Sequence, residues 1–294
     1  MNHLIKIENL EKHYDGFSLA KVNLAVEPGT VVGFIGSNGA GKTTTIKAML
    51  GLIGANGGSI ELLGQPVKVN SPIIDQLKSQ IGIVLDTCAF PSTLRVKDAG
   101  RLGRVAYPQW DGPLFEQLRG QFCLPEGKKI SELSRGMGMK LTLAFALAHH
   151  PRLLVLDEAT AGLDPMARDE VLDILRQFME QEGHGILMST HITSDLEKIA
   201  DKVMCIDEGR IVFDLDKDAI SDQAAIGRCR KQDLEAIAAS GFFPAGEMRF
   251  QSHGFGTDVL VPDRFAFARQ FPDVALDRIS IEEYMTLVLK GETR

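Results

Sequence analysis

Short, unbroken apolar runs recur along the chain between stretches with helical spacing. Val31–Ile35 (VVGFI), Leu153–Leu156 (LLVL) and Ile186–Met188 (ILM) are continuous rather than alternating. That pattern predicts strands covered on both faces, as in a parallel sheet with helices on each side. The stretch from Gly41 to Leu50 reads as a helix following the first run, with Gly51 placed to stop it. The second run ends on two adjacent carboxylates, Asp157 and Glu158. Ionised groups at the end of a buried strand are costly unless they meet cations, donors or water, so they mark a rim. Ligands in open α/β sheets bind at such strand ends. Taken alone, the pattern fits equally well an ordinary strand running into a polar loop.

The residues after the first run decide more. GSNGAGKT places Gly36, Ser37, Asn38, Gly39, Ala40, Gly41, Lys42 and Thr43 in the pattern of a phosphate-binding loop, with Thr44 next in the helix. Glycines let the backbone close round phosphate oxygens and aim its N–H groups at them, and the helix N-terminus adds positive potential. Lys42 is expected to reach the β and γ phosphates. Thr43 offers a hydroxyl to Mg²⁺, and Asp157, at the tip of the later strand, can complete the metal's protein contacts directly or through water. Phosphate binding by itself does not choose among kinases, GTPases and transport ATPases.

A third segment discriminates among them. KISELSRGMGMKLTLAFALAHHPRLLVLDEATAGLD resembles, in order, the signature, Walker B and D-loop segments of the ATP-binding cassette (ABC) family, and the resemblance covers most of residues 1–215. It implies an α/β fold: a P-loop NTPase cassette with a RecA-like core, an antiparallel β subdomain and a helical subdomain at about residues 87–150. It further implies that two cassettes close head to tail on ATP and Mg²⁺, the LSGGQ-type loop of one completing the nucleotide site of the other. The corresponding loop here is LSRGM, with Leu133, Ser134, Arg135 and Gly136 as its contact residues. Its chemistry is also legible directly: Ser134 and the backbone around Gly136 open a helix, so hydroxyl, amides and dipole can face an anion. By resemblance Glu158 polarises the attacking water, His191 is the switch that contacts the γ-phosphate, Asp164 is the D-loop contact across the dimer, and Tyr14 stacks on adenine. Asp86 stands where such cassettes usually carry glutamine. It offers acceptors only, on a shorter stem, and is expected to serve the Mg²⁺ or its water while coupling differently to a membrane partner. Arg135 and Met137 also depart from the commonest signature, and Ala159 replaces a usual proline.

The loop after Asp86, together with YPQWDGPLFEQL and LSRGM, resembles the YtrB-like branch that serves ABC-2-type exporters in bacteria. Asp111 is the expected N-cap of a helix with Pro113 in its first turn, and Trp110 is expected to be architectural. The cassette pattern ends after DEGRIVF. The chain is therefore divided at residues 1–219 and 220–294, the second part a small α+β accessory region. In it DLEAIAASGFF predicts a helix ended by Gly241, DVLVPDRF a strand and turn, and SIEEYMTLVLKG a helix with a Ser280–Glu283 capping box.

Composition narrows the partners. With 32 basic and 39 acidic residues the net charge is −7, which argues against extended contact with nucleic acid, and no nucleic-acid partner is expected. Cys88, Cys123, Cys205 and Cys229 show no metal-ligand spacing and read as unpaired packing residues. The opening MNHLIKIENL lacks a secretory core, and apolar runs such as Leu141–Ala148 are too short to span a bilayer. The resemblance thus implies a cytoplasmic protein, peripheral on the inner face of the membrane, that works with a transmembrane permease subunit and a second cassette in a homodimer or heterodimer. Rival readings are a soluble ABC ATPase acting on nucleic acid or ribosomes, and a nucleotide-gated regulator.

Overall fold

A computed structural model describes residues 3–68 and 76–294; Met1 and Asn2 of the opening segment lie outside the described residues. The chain divides into two compact units, one comprising residues 1–192 and 204–213, the other residues 193–203 and 214–294.

Two sheets are built wholly or mostly from the first unit, residues 202–203 and 214–216 of the first sheet counting with the second unit. A six-stranded sheet runs in the order β10-β9-β3-β8-β7-β6, built from β3 (Val31–Ile35), β6 (Ile81–Val84), β7 (Leu153–Asp157), β8 (Gly185–Ser189), β9 (Lys202–Asp207) and β10 (Arg210–Asp216). The three continuous apolar runs form β3, β7 and β8, every residue of which is buried. They pair in parallel, Val31 with Ile186 and Leu154 with Ile186, so their carboxyl ends share one edge. β6 joins alongside β7, with Val84 opposite Leu156.

The second sheet, in the order β2-β1-β4-β5, is antiparallel: β1 (Ile5–Tyr14), β2 (Phe17–Val26), β4 (Gly57–Leu62) and β5 (Gln65–Pro66). Here burial alternates. Leu19, Val22, Leu24 and Val26 of β2 turn inward, onto a core shared with Val32 and Phe34 of β3 and with Ile46 and Met49 of the helix Lys42–Met49. That helix is shorter by one residue at each end than the sequence suggests. Gly41 precedes it with φ of 118°, and Gly51, at φ 66°, closes the turn that follows it.

Between β6 and β7 lie the helices Val96–Ala106, Gly112–Gln121 and Arg135–Leu147. Asp111 caps the second as expected, its carboxylate accepting from the Leu114 amide at 2.9 Å, with proline in the first turn. The Trp110 ring packs 5.4 Å from Phe115 and 5.0 Å from Phe145. It also rests on Gly103, where an added Cβ would lie 2.4 Å from the indole. Trp110 therefore holds the first two helices together by shape, in keeping with an architectural role.

The second unit carries an antiparallel sheet in the order β14-β11-β13-β12-β15, made of β11 (Ala225–Cys229), β12 (Arg249–His253), β13 (Gly256–Val261), β14 (Ala275–Asp277) and β15 (Glu292–Thr293). Val259, Val261, Phe267 and Met248 are at its core. Gly241, at φ 74°, follows the helix Lys231–Ala239 as anticipated. The capping box forms as well: Ser280 Oγ accepts from the Glu283 amide at 3.2 Å, and Glu283 accepts from the Ser280 amide at 2.9 Å. The helix Thr193–Ile199 belongs to this unit, where Glu197 accepts from the Ile281 amide at 3.2 Å.

All four cysteines are free. Burial pushes the Cys205 thiol up to about 12 and the Cys229 thiol up to about 11. Cys88 is half-buried, but Cys123 is exposed, correcting the expectation that all four serve as packing residues. Cys123 sits just past the helix Gly112–Gln121 with φ 52°, in the turn rather than on the helix's inner face.

Two measurements check this packing. Under native conditions a thiol-alkylating reagent should modify Cys123 first and leave Cys205 and Cys229 unmodified until the protein unfolds, as read by mass spectrometry of peptides. Gly103→Ala should destabilise the first unit by about 1–3 kcal/mol, because the new methyl overpacks against Trp110; denaturant titration followed by Trp110 fluorescence reports it.

Candidate nucleotide site

The phosphate loop is shaped by what crowds it. A Cβ at Gly36 would lie 2.1 Å from the Ile206 carbonyl oxygen of β9, so no side chain fits there. A Cβ at Gly41 would lie 2.6 Å from Leu19 and 3.0 Å from the tip of the Phe17 ring. Ser37 donates to Asp207 at 2.9 Å, and the Ala40 carbonyl accepts from the Gly209 amide at 2.9 Å. Ser37, Asn38 and Gly39 face solvent, with Gly39 at φ 83°. The loop is thus pinned at both ends, with its crown open.

Lys42 is only 7% exposed. Its ammonium donates to the carbonyls of Gly36 at 2.7 Å and Ser37 at 3.1 Å, and among the described residues no carboxylate pairs with it. A buried ammonium without a counter-charge is a receptor for an anion. The hydroxyl of Thr43, the next residue, donates to Asp157 Oδ2 at 2.9 Å. Asp157 is 2% exposed, and its other oxygen, Oδ1, is buried without a protein partner. The β7–β8 register sets Asp157 opposite Ser189, whose buried hydroxyl also lacks a partner. These unsatisfied oxygens beside Thr43 fit a hydrated Mg²⁺, which typically takes one or two protein ligands and leaves the rest to water and phosphate. Among the described residues no cluster of three or more His, Cys, Asp or Glu able to hold a metal occurs.

Glu158 follows with φ 55°, a left-handed backbone that costs a non-glycine residue about 1–2 kcal/mol. Its amide donates to the Ser189 carbonyl at 2.8 Å, fixing the turn. Its carboxylate meets His191 Nδ1 at 2.6 Å. The Glu158 side chain is 16% exposed and that of His191 59%, so the pair spans from the sheet edge to solvent. Phosphate loop, Asp157, Glu158 and His191 are therefore brought together by the shared edge of β3, β7 and β8.

Of the remaining expected residues, Asp86, the signature turn and the D-loop adjoin one another, while Tyr14 lies on β1. Ser134 caps the helix Arg135–Leu147, its hydroxyl accepting from the Met137 amide at 3.2 Å. Leu133 before it is half-buried. Gly136 abuts the D-loop: a Cβ there would lie 2.8 Å from Leu163. Asp164 caps the next helix, Pro165–Met179, accepting from the Ala167 amide at 3.0 Å, and that bond holds its carboxyl below the usual carboxylate range. The side chain that Asp86 meets is Arg135, in an ion pair. Tyr14 is half-exposed at the end of β1, with the Lys12 ammonium 5.1 Å above its ring. Among the described residues no hydrogen bond or ion pair joins the side chains of Ser134 or Arg135 to the phosphate loop.

Two contributors escaped sequence reasoning. Ser189 becomes visible only once β8 is registered against β7. Phe17 enters no sequence motif, and only the fold brings its ring against Gly41.

Comparison with known proteins follows the same lines. The family described as ABC transporter matches residues 19–161. The bacitracin transport ATP-binding protein BcrA of Enterococcus faecalis is 34% identical over 215 residues, covering 72% of this chain and 69% of that protein. The ABC transporter ATP-binding protein YtrB of Bacillus subtilis (strain 168) is 28% identical over 221 residues, 75% of this chain and 74% of that one. A solved structure described as the ATP-binding subunit of an ABC transporter superposes with a TM-score of 0.67 at 28% identity, covering 74% of this chain and 91% of that one. With a phosphate loop, a carboxylate pair and a serine-capped signature turn set on that fold, the chain belongs to the ABC transporter family as one of its ATP-binding subunits.

Proposed function

We propose that the chain hydrolyses MgATP at a seam between two cassettes and passes the resulting closure and opening to separate transmembrane subunits, in the direction of export. The observation that carries this reading is the unsatisfied charge and polarity at the sheet edge: the unpaired Lys42 ammonium and the partnerless oxygens of Asp157 and Ser189. A polyphosphate with its cation completes all three.

In this reading the loop amides from Gly36 to Thr44 cradle the β and γ phosphates, and Lys42 turns to them from the Gly36 and Ser37 carbonyls. Thr43 and Asp157 would hold Mg²⁺, with Ser189 bonding its water; the ion supplies neutralisation of developing phosphate charge. Glu158 accepts a proton from, or orients, the attacking water. His191, bonded to Glu158 at 2.6 Å, fixes the direction of that carboxylate. Tyr14, at the open end of β1, is assigned to the adenine face. Ser134, exposed and bonded only to its own helix, serves the nucleotide of the second cassette, with Asp164 alongside it.

Among the described residues no helix is long and apolar enough to cross a membrane. In this reading a separate membrane subunit provides the path, and this chain would sit against its cytoplasmic face. The resemblance of the loop at Asp86, YPQWDGPLFEQL and LSRGM to cassettes of ABC-2-type exporters supports the direction. A cassette acting on nucleic acid or ribosomes is the rival, and co-purification separates the two: the expected partner is an integral membrane protein rather than nucleic acid.

Two variants test the site. Glu158→Gln should keep ATP binding, accumulate an ATP-bound dimer in size-exclusion chromatography and lower steady-state phosphate release by a factor of about 10² or more; normal turnover would remove Glu158 from its role. Gly36→Ala should abolish ATP binding in a fluorescent-nucleotide titration and lower the unfolding midpoint, since the methyl would press on the Ile206 carbonyl.

A further inference from the structure

Two departures from the usual cassette pattern carry opposite charges, and the fold brings them into contact. Asp86 lies just beyond β6, and Arg135 is the first residue of the signature helix, 49 positions away. β6 is fixed in the parallel sheet by its pairing with β7, so Asp86 hangs from a rigid edge. Arg135 directly follows the capping Ser134, and its stem also runs beside Gly162 of the D-loop, 3.6 Å from where a Cβ would stand. With Thr87, Cys88 and Ser134 the pair lines a cavity of about 410 Å³.

The position of Arg135 matters electrostatically. A helix N-terminus carries partial positive charge, so a cation in its first turn is repelled. The first turn of this helix contains no acidic residue of its own. Asp86 supplies the missing carboxylate from another element.

We propose that Asp86 and Arg135 are a compensating pair of positioning residues. Their ion pair ties the end of β6 to the signature turn and sets the direction in which Ser134 faces the nucleotide of the second cassette. Glutamine and glycine at the two places would leave turn and strand end uncoupled. The inference rests on the two-cassette reading above and adds to it which residues aim the signature serine. It also gives Asp86 a partner other than the metal.

The test uses the full chain carrying Glu158→Gln, with ATP-dependent self-association measured by analytical ultracentrifugation, and the same substitutions in the otherwise unchanged chain for turnover. Both side chains are about half exposed, at 53% and 55%. The coupling of such a pair is modest and screened by salt. Asp86→Asn and Arg135→Gln should each weaken association about threefold to fivefold at low salt. The double variant should be no weaker than the weaker single one. The swap of Asp86→Arg with Arg135→Asp should restore association, and all these differences should vanish near 1 M salt. Unchanged unfolding midpoints would confine the effect to positioning.

Additive losses, or losses indifferent to salt, would overturn the pair. So would a shift in the Mg²⁺ concentration for half-maximal turnover with Asp86→Asn and not with Arg135→Gln, which would return Asp86 to the metal. If the chain bearing only Glu158→Gln fails to associate with ATP, the two-cassette reading itself falls and takes this inference with it. If it associates and the pair variants behave as the parent, only the pair is lost.

Discussion

Charge held out of water at one edge of a parallel sheet is the constraint on which the first unit depends. Lys42 and Asp157 are 7% and 2% exposed. Each such burial would cost several kcal/mol without compensating dipoles. Loop carbonyls bond the lysine and a threonine hydroxyl bonds the aspartate, at distances of 2.7–3.1 Å. These bonds require β3 and β7 to end at the same level, which the fully buried strands enforce through their register with β8. The core therefore sets where strands end, and the strand ends set where charge can be tolerated.

Much of this was legible in the chain. Continuous apolar runs announced β3, β7 and β8 because two-sided burial leaves no room for alternation. Asp111 and Ser280 were readable as caps because capping is local: the side chain and the amide it serves are three residues apart. The phosphate loop was readable for the same reason. What escaped was non-local. Ser189 gains meaning from a neighbouring strand, Phe17 from a helix start on another element, and the meeting of Asp86 with Arg135 from a fold that closes 49 residues of chain. Nothing in hydrophobic spacing encodes such meetings. Cys123 was misread because an apolar, poorly solvated side chain is ordinarily packed, whereas a turn with positive φ turns this one outward.

The second unit shows another limit of linear reading. A boundary drawn where the cassette pattern stops falls at residue 219, yet the helix Thr193–Ile199 groups with the later residues through bonds such as that between Glu197 and the Ile281 amide. The segment just after His191 is therefore built into the body that carries the C-terminal sheet. Pattern breaks mark where a family's shared sequence ends, while compactness follows packing, and here packing reaches back across β9.

The Ile206 carbonyl that walls off Gly36 makes the shape of this loop depend on a distant strand. Eight residues are commonly treated as a portable cassette of function, but the curvature of this one is moulded from outside, by a strand separated from it by most of the catalytic unit and tied to it again through Ser37 and Asp207, 170 positions apart. Grafted into a scaffold without that strand, the same peptide would lose its mould. Strand and loop thus act as one structural unit, in which a shift of the Ile206 carbonyl would reshape the turn at Gly36.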